Sequence, residues 1–526
     1  MTSPESAESL SREDALLNQA EGKGPLGKAV IYTLLSGPGW LQGAITLGGG
    51  SLAGALYLGV LMGYELMWLQ PLAMIFGVIM LSAISYVALS TGERPFQTLK
   101  VHISPVLAWG WLIATMMANI VWSLPQFALG TAAVQQNLLP GLNTTVGKAV
   151  IAVALLIAAS IVVWFYNSGS KGIRLFELIL KAMVGIVVLS FFGVVAAMTA
   201  NGALNWGEIL AGFIPNPKYL FEPVPSMADP ISETGGNAEY WQTLIAAKQT
   251  DTIITAFATA VGINMTFLLP YSMLRKGWGR RQRGLAIYDL TIGLIFPFVL
   301  ATGCVVVAAA SQFHASPDDV LAMEAEGLSS SKEVEAFVEL VEGLEKSVGE
   351  EKLTDADRRI AAMLASRDNL SLAKTLSPLV GDTVAQKLFG VGVLGMALST
   401  IIILMLINGF AFCELMDVPA EGTMHRIGCF LPAIGVFGPY FGGAAPALAI
   451  PTSVIGGAML PIAYLSFFLL MNSKPALGDS KPTGLRACIW NSLMGLATLA
   501  AGFACVWGLS GKGIPGYIGL AIVSIM

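Results

Sequence analysis

SGPGWLQGAITLGGGSLAGALYLG, Ser36 to Gly59, begins and ends as a membrane helix but carries Gly48, Gly49, Gly50 and then Ser51 in its middle. Glycine costs a helix interior about 1 kcal/mol relative to alanine. Three in a row halfway across mark a place where the helix opens and its backbone can approach a solute. Tight helix packing is the competing account, and Gly43, Gly50 and Gly54 are spaced for it. Three adjacent glycines cannot all face one neighbour, which favours the break.

The rest of the chain fits a lipid bilayer. Of 526 residues, 55% are hydrophobic and 12% charged, with net charge −5, and the mean hydropathy is +0.70. That is too little charge to cover a soluble protein of this size. Apolar runs of about 20 residues recur, the length that spans the hydrocarbon. A β-barrel would instead show alternating segments of about ten residues. The expected fold is an all-α polytopic membrane protein of eleven spans, with a short apolar tail after the last. They cover roughly 29–62 (broken), 65–90, 104–134, 147–166, 175–199, 252–274 (broken), 286–310, 387–413, 426–440, 446–471 and 485–510.

Four regions follow: a disordered cytoplasmic tail at 1–27, spans one to seven at 28–310, an extracytoplasmic helical insertion at 311–386, and the remaining spans at 387–526. No cleavable signal peptide is expected. Lys and Arg place the N-terminus in the cytoplasm, because Arg94, Lys100, Lys171, Arg174, Arg275, Lys276, Arg280, Arg281, Arg283, Arg426, Lys474, Lys481 and Arg486 all fall on one side. The plasma (inner) membrane is the expected location. In the insertion, Ser330–Glu333 and Thr354–Asp357 match capping boxes. After the first box, Val334, Phe337, Val338, Val341 and Leu344 line one helix face. The five cysteines have no metal-site spacing and read as buried thiols.

A second interruption is expected in the sixth span, AVGINMTFLLPYSMLRKGW, where Pro270 removes a backbone bond. Breaks at matching positions in spans one and six suggest an inverted repeat of five plus five, and such breaks point to a transporter's substrate site. Unwound backbone survives at membrane depth only inside protein or beside water.

At these residues the chain resembles the Nramp family of divalent metal transporters, proton-coupled carriers of the amino-acid–polyamine–organocation fold. The likeness rests on Gly37-Pro38-Gly39-Trp40-Leu41, on GIRLFELILKAMVGIVVLSFFGVV followed by NWGEILAGFIPNP, and on Ala260-Val261-Gly262-Ile263 with Pro270 downstream. It covers about 28–310 well and 387–510 loosely, with 311–386 outside it. The resemblance implies a metal site of Asp-Pro-Gly-Asn in the first span and Met-Pro-His in the sixth. Counted from Gly37, those positions hold Gly48, Gly49, Gly50 and Ser51, then Leu269, Pro270 and Tyr271, with Lys276 at a second histidine position. In the third span Leu124 and Phe127 stand where the family has acids, and Gln126 is retained.

No carboxylate, imidazole or thioether is therefore expected at the site. The candidate substrate-binding residues are Thr46, Gly48, Gly49, Gly50, Ser51, Gln126, Asn264, Thr266, Leu269, Pro270, Tyr271 and Ser272. Neutral oxygens can hold K⁺ or Na⁺ but compensate a doubly charged ion poorly. A half-helix starting near Ser51 presents free N–H groups that favour an anion or a polar organic group. Glu414 and Asp417 read as a gate or as solvated helix ends, and Glu177–Lys181 as an interfacial pair.

Three functions stay open: a transporter of a divalent cation through a remodelled site, the same scaffold carrying a small organic solute, or a non-transporting sensor or assembly partner. No nucleophile–base pair, ligand cluster or phosphate loop suggests an enzyme, a cofactor or a nucleic-acid partner.

Overall fold

The computed structural model describes Glu13 and residues 15–165, 171–328, 331–349, 353–420 and 422–525. It leaves out the side chains of 40, 41, 44, 171–177, 179–181, 183, 184, 187 and 525. The Glu177–Lys181 pair and Ser330 lie outside the described side chains.

The described residues contain helices and turns and no strand. We number the helices α1 (Pro25–Leu35), α2 (Pro38–Thr46), α3 (Gly49–Met62), α4 (Leu69–Thr91), α5 (Pro105–Ala132), α6 (Thr145–Phe165), α7 (Lys171–Ala200), α8 (Ala238–Ala260), α9 (Ile263–Arg275), α10 (Arg280–Phe313), α11 (Lys332–Val348), α12 (Asp355–Leu364), α13 (Asp382–Leu415), α14 (Ala445–Asn472), α15 (Gly484–Ser510) and α16 (Gly513–Ile525). Eight helices among the described residues are long and apolar enough to cross a membrane.

The expected ninth span is built differently from the others. Gly422–Cys429 is an α-helix and Leu431–Tyr440 continues as a 3-10 helix. At rises of about 1.5 and 2.0 Å per residue they still extend about 30 Å. So long a 3-10 run follows from close contact with α5. A Cβ on Gly438 would lie 1.9 Å from the Leu124 carbonyl oxygen, and one on Gly435 would lie 2.4 Å from Ser123 Oγ.

Part of the expected tail at 1–27 is ordered against the bundle among the described residues. Glu13 and residues 15–21 are helical, and Leu17 and Ala20 are buried. Lys276 reaches Glu13 at 3.4 Å and the Leu35 carbonyl at 3.2 Å, and Trp278 Nε1 donates to Glu13. We call this face the tail side and the opposite face the insertion side.

The insertion is a cap fused to the bundle. Phe337, Val341, Leu344, Ile360, Leu364 and Leu372 share one core with Leu56, Val60 and Met62 of α3. The helix at 332 is capped by Ser331, whose side chain accepts from Val334 N–H, and the Thr354–Asp357 capping box forms as expected. Asp357 is fully buried and also accepts from Asn237 and from Trp241 Nε1 at 2.7 Å, tying the cap to the start of α8.

On the tail side, Asp289 of α10 holds the start of α2. Its carboxylate accepts from Gly37 N–H at 3.2 Å and Gly39 N–H at 2.6 Å. A Cβ on Gly43 would lie 2.4 Å from the Gly293 carbonyl oxygen in the π-helical turn of α10. Backbone cannot yield there, so Gly43→Val is expected to destabilise the protein by about 1–3 kcal/mol. An unchanged thermal midpoint would contradict this packing.

Candidate functional site

The first break lies where the glycines suggested. α2 ends at Thr46; Leu47 has φ −82°, ψ 38° and Gly48 has φ −91°, ψ −175° before α3 resumes at Gly49. Gly48 has a negative φ that other residues adopt, so glycine is required there for space. A Cβ on Gly48 would sit 2.5 Å from Thr400 Oγ1, and one on Gly49 would sit 2.5 Å from Gln126 Oε1 and 3.2 Å from Leu129 Cδ1. The helix therefore resumes two residues before Ser51.

The second break is not at Pro270. α8 stops at Ala260, Val261 (φ −138°, ψ 105°) and Gly262 (φ −78°, ψ 158°) are extended, and α9 runs through Pro270 without interruption. A proline inside a helix removes one hydrogen bond; two extended residues remove several at once. Val261 is fixed by its fit against Gly77, where a Cβ would lie 2.1 Å from Val261 Cγ2.

The two breaks are hydrogen-bonded to each other. Thr46 Oγ1 donates to the Ala260 carbonyl, with the Thr259 carbonyl at 3.3 Å. Ser51 Oγ donates to the Thr46 carbonyl and reaches the Thr259 carbonyl at 3.0 Å. Carbonyls freed at the end of α8 thus find hydroxyls on the other broken helix, as buried backbone groups require.

Between the breaks lies a cavity of about 70 Å³, roomy enough for a few waters or one small solute. Of the predicted residues, Thr46, Gly48, Gly50, Ser51, Gln126 and Asn264 line it. Gly49 stands behind Gln126. The other five are placed elsewhere. Thr266 is buried, accepts from Trp111 Nε1 at 3.0 Å and donates to the Ile263 carbonyl. Leu269 and Pro270 are buried in α9, and Ser272 bonds back to the Leu269 carbonyl at 2.7 Å. Tyr271 donates to Glu414 Oε1 at 2.6 Å, and Arg94 pairs with the same oxygen at 2.8 Å. That triad joins α9, α13 and the loop before residue 95, so Glu414 is a buried partner rather than a solvated helix end.

Sequence reasoning missed Trp122, Thr259, Met265 and Ser453, which also line the cavity, as does Thr400. Met265 corrects the expectation that no thioether remains. Its signal was visible, since it follows Asn264 at the start of α9. Trp122 had none: it fits between Gly262 and Gly456, whose Cβ atoms would lie 2.8 Å and 2.4 Å from its ring. Among the described residues Gln126 Oε1 and Trp122 Nε1 are buried with no hydrogen-bond partner; the oxygen lies against Gly49 and the indole nitrogen against Gly456. Asn119 Nδ2 donates to Asn408 Oδ1 across α5 and α13 at 2.9 Å, while Asn119 Oδ1 and Asn408 Nδ2 stay buried without a partner among the described residues. Among the described residues no group of three or more His, Cys, Asp and Glu could hold a metal ion.

The site can therefore offer neutral oxygens, amides and one thioether to a small guest. It can also offer the N–H groups that open α3.

Comparisons with known proteins support this architecture. A family described as natural resistance-associated macrophage protein-like (Nramp) matches residues 39–350 and 360–507. The match runs through most of 311–386, which the sequence reading had placed outside the likeness. A metal transporter from Populus trichocarpa, Nramp6.2, is 29% identical over 158 residues, 30% of this chain and 27% of that relative, so the match spans about a quarter of the curated protein. A crystal structure of a variant of the Eremococcus coleocola manganese transporter has 12% identity and a TM-score of 0.60, covering 94% of this chain and 92% of that one. The same transporter with an aromatic bis-isothiourea compound gives 11% identity and a TM-score of 0.57 over 93% and 91%. At such identities the structures show the fold alone.

Proposed function

This chain belongs to the Nramp family, and from that premise we propose that it is a secondary transporter moving a divalent metal cation by alternating access through the cavity between its two breaks. The observation that carries the reading is the joining of both breaks at one small cavity, lined by Gln126, Asn264, Thr400, Ser453 and Met265. A doubly charged ion gives up its water only to hard oxygens or soft sulfur. With no carboxylate among these residues, the cation keeps part of its hydration shell. Gln126 Oε1 and the side chains of Asn264 and Thr400 accept hydrogen bonds from that water, and the Met265 sulfur is the one soft ligand. The tail side, which carries the Lys and Arg excess, faces the cytoplasm across the plasma membrane.

The test is isothermal titration of the purified protein with Mn²⁺, Mg²⁺ and Ca²⁺ in separate runs. Saturable binding of at least one is expected. Gln126→Leu should weaken it about tenfold, because the deleted amide is worth about one hydrogen bond to a charged partner or its water. No binding by any of the three would overturn the cation reading. It would favour a small carboxylate, for which the N–H groups of Gly49 and Gly50 supply the donors.

A further inference from the structure

The segment Ala365–Leu372 crosses the insertion-side end of the bundle and is buried almost throughout. Arg367 and Asn369 are wholly covered, and Asp368 and Ser371 nearly so. It is bonded to the helices that line the cavity. Tyr57 of α3, six residues beyond Ser51, donates to the Arg367 carbonyl at 2.8 Å. Asn369 Nδ2 donates to the Leu129 carbonyl at 3.3 Å, and Asn137 Nδ2 donates to the Asn369 carbonyl at 3.2 Å. Leu129 is the residue whose side chain closes on Gly49. One residue thus separates this segment from the cavity wall.

The segment is held from the cap by two groups. The Arg367 guanidinium is bonded to the Ala362, Ala365 and Ser316 carbonyls and paired with Asp319 at 3.0 Å. The second is a pair of buried carboxyls from different helices. Glu333 Oε1 accepts from Asp368 N–H at 3.0 Å, which brings the two buried carboxyls close together, and Asp368 Oδ1 caps Leu370 and Ser371. Ser331 Oγ donates to Glu333 Oε2 at 3.2 Å. Two carboxyls buried side by side cannot both ionise cheaply, and a proton on one of them lets it donate to the other.

We propose that Ala365–Leu372 is a lid on the insertion-side entrance to the cavity and that the proton shared by Glu333 and Asp368 is its latch. With the proton in place the pair is attractive and Asp368 keeps its cap. Without it, two buried carboxylates repel, and α11 and the lid part. Among the described residues, the charged and titratable groups near the pair are Arg367, already held by Asp319, and the Tyr57 hydroxyl, and no ion pair joins Glu333 or Asp368 to a cation. Burial, then the neighbouring Glu333, pushes the Asp368 carboxyl up to about 7. A raised acid stabilises the closed form at low pH, and that stabilisation is lost as pH rises through the raised value. The lid is therefore shut in acid and loosens above neutrality.

The latch does not depend on which cargo the cavity takes, so its test stands apart from the titration above. The experiment is amide hydrogen exchange of the full-length protein in detergent, at about pH 6 and about pH 8.5, each rate divided by its intrinsic rate at that pH. Protection at 365–372 should fall about tenfold at the higher pH, and protection at Gly49–Ala53 should fall with it. Asp368→Asn keeps the cap and its bond to Glu333 and should remove the pH dependence; Glu333→Gln should do the same if the first variant folds poorly. Equal protection at both pH values in the wild type would overturn the latch. So would the same fall in both neutral variants. A fall at the lid with no change at Gly49–Ala53 would overturn the lid.

Discussion

Gly49→Val is expected to reduce cation uptake about a hundredfold while the chain still folds. The added Cβ would lie 2.5 Å from Gln126 Oε1 and 3.2 Å from Leu129 Cδ1, and β-branching adds a methyl in the same crowded space. Gln126 can swing away, because its side chain is flexible, but the cavity wall it forms is then displaced. Leu129 yields only by shifting α5. Overpacking of this kind costs about 1–3 kcal/mol, less than the 5–15 kcal/mol by which folded proteins are typically stable. Gly54→Ala is the control. Its Cβ would meet Thr255 and Thr259 at 3.5 Å, an ordinary contact outside the cavity lining, and uptake should stay within about twofold. Rates in proteoliposomes at matched protein density decide the matter, with thermal unfolding run alongside. Equal uptake by Gly49→Val and the wild type would remove the first break from the site.

Glu414→Ala is expected to release the tail-side end of α9 and to slow transport about tenfold. The Glu414 side chain is 1% exposed and takes both the Tyr271 hydroxyl and the Arg94 guanidinium. Arg94 is 46% exposed, so its charge returns to water and contributes little. Tyr271 has no such exit. Its half-buried side chain loses its acceptor, which costs up to about 1–3 kcal/mol. That cost falls on the state in which the tail side is closed. Amide exchange of residues 271–278 should therefore quicken, and the alternating cycle should lose one of its two end states. Unchanged exchange and unchanged uptake together would make the triad a static contact.

How much of this was legible in the chain differs by element. Membrane class and span positions followed from hydropathy, because the bilayer demands long apolar helices whatever their neighbours do. The first break was legible because glycine acts locally. Even so, its purpose differed from a simple need for conformational freedom: Gly48 and Gly49 make room for Thr400 and Gln126, which lie far away in sequence. The second break was misplaced by eight residues. Pro270 is the louder local signal, but Val261 is held extended by a notch at Gly77 that no local pattern announces. Six of the twelve candidate site residues line the cavity; Met265, next to Asn264, could have been added from the sequence, whereas Trp122, Thr259 and Ser453 join through packing alone. The N-terminal helix was misread because its anchors, Lys276 and Trp278, are more than 200 residues away. For the same reason the insertion looked like an appendage. Its apolar face was visible, but the α3 residues that receive it are not neighbours in sequence.

The central claim is that a cation, still partly hydrated, sits between the two breaks. The most direct measurement is a crystal structure of the protein soaked in Mn²⁺, with an anomalous difference map to locate the metal. The account predicts a peak in the cavity among Gly48, Gln126, Asn264 and Thr400, about 4 Å from the nearest protein oxygens because water lies between. A peak about 2 Å from protein oxygens elsewhere in the chain, or no peak at all from a well-diffracting soaked crystal, would contradict it.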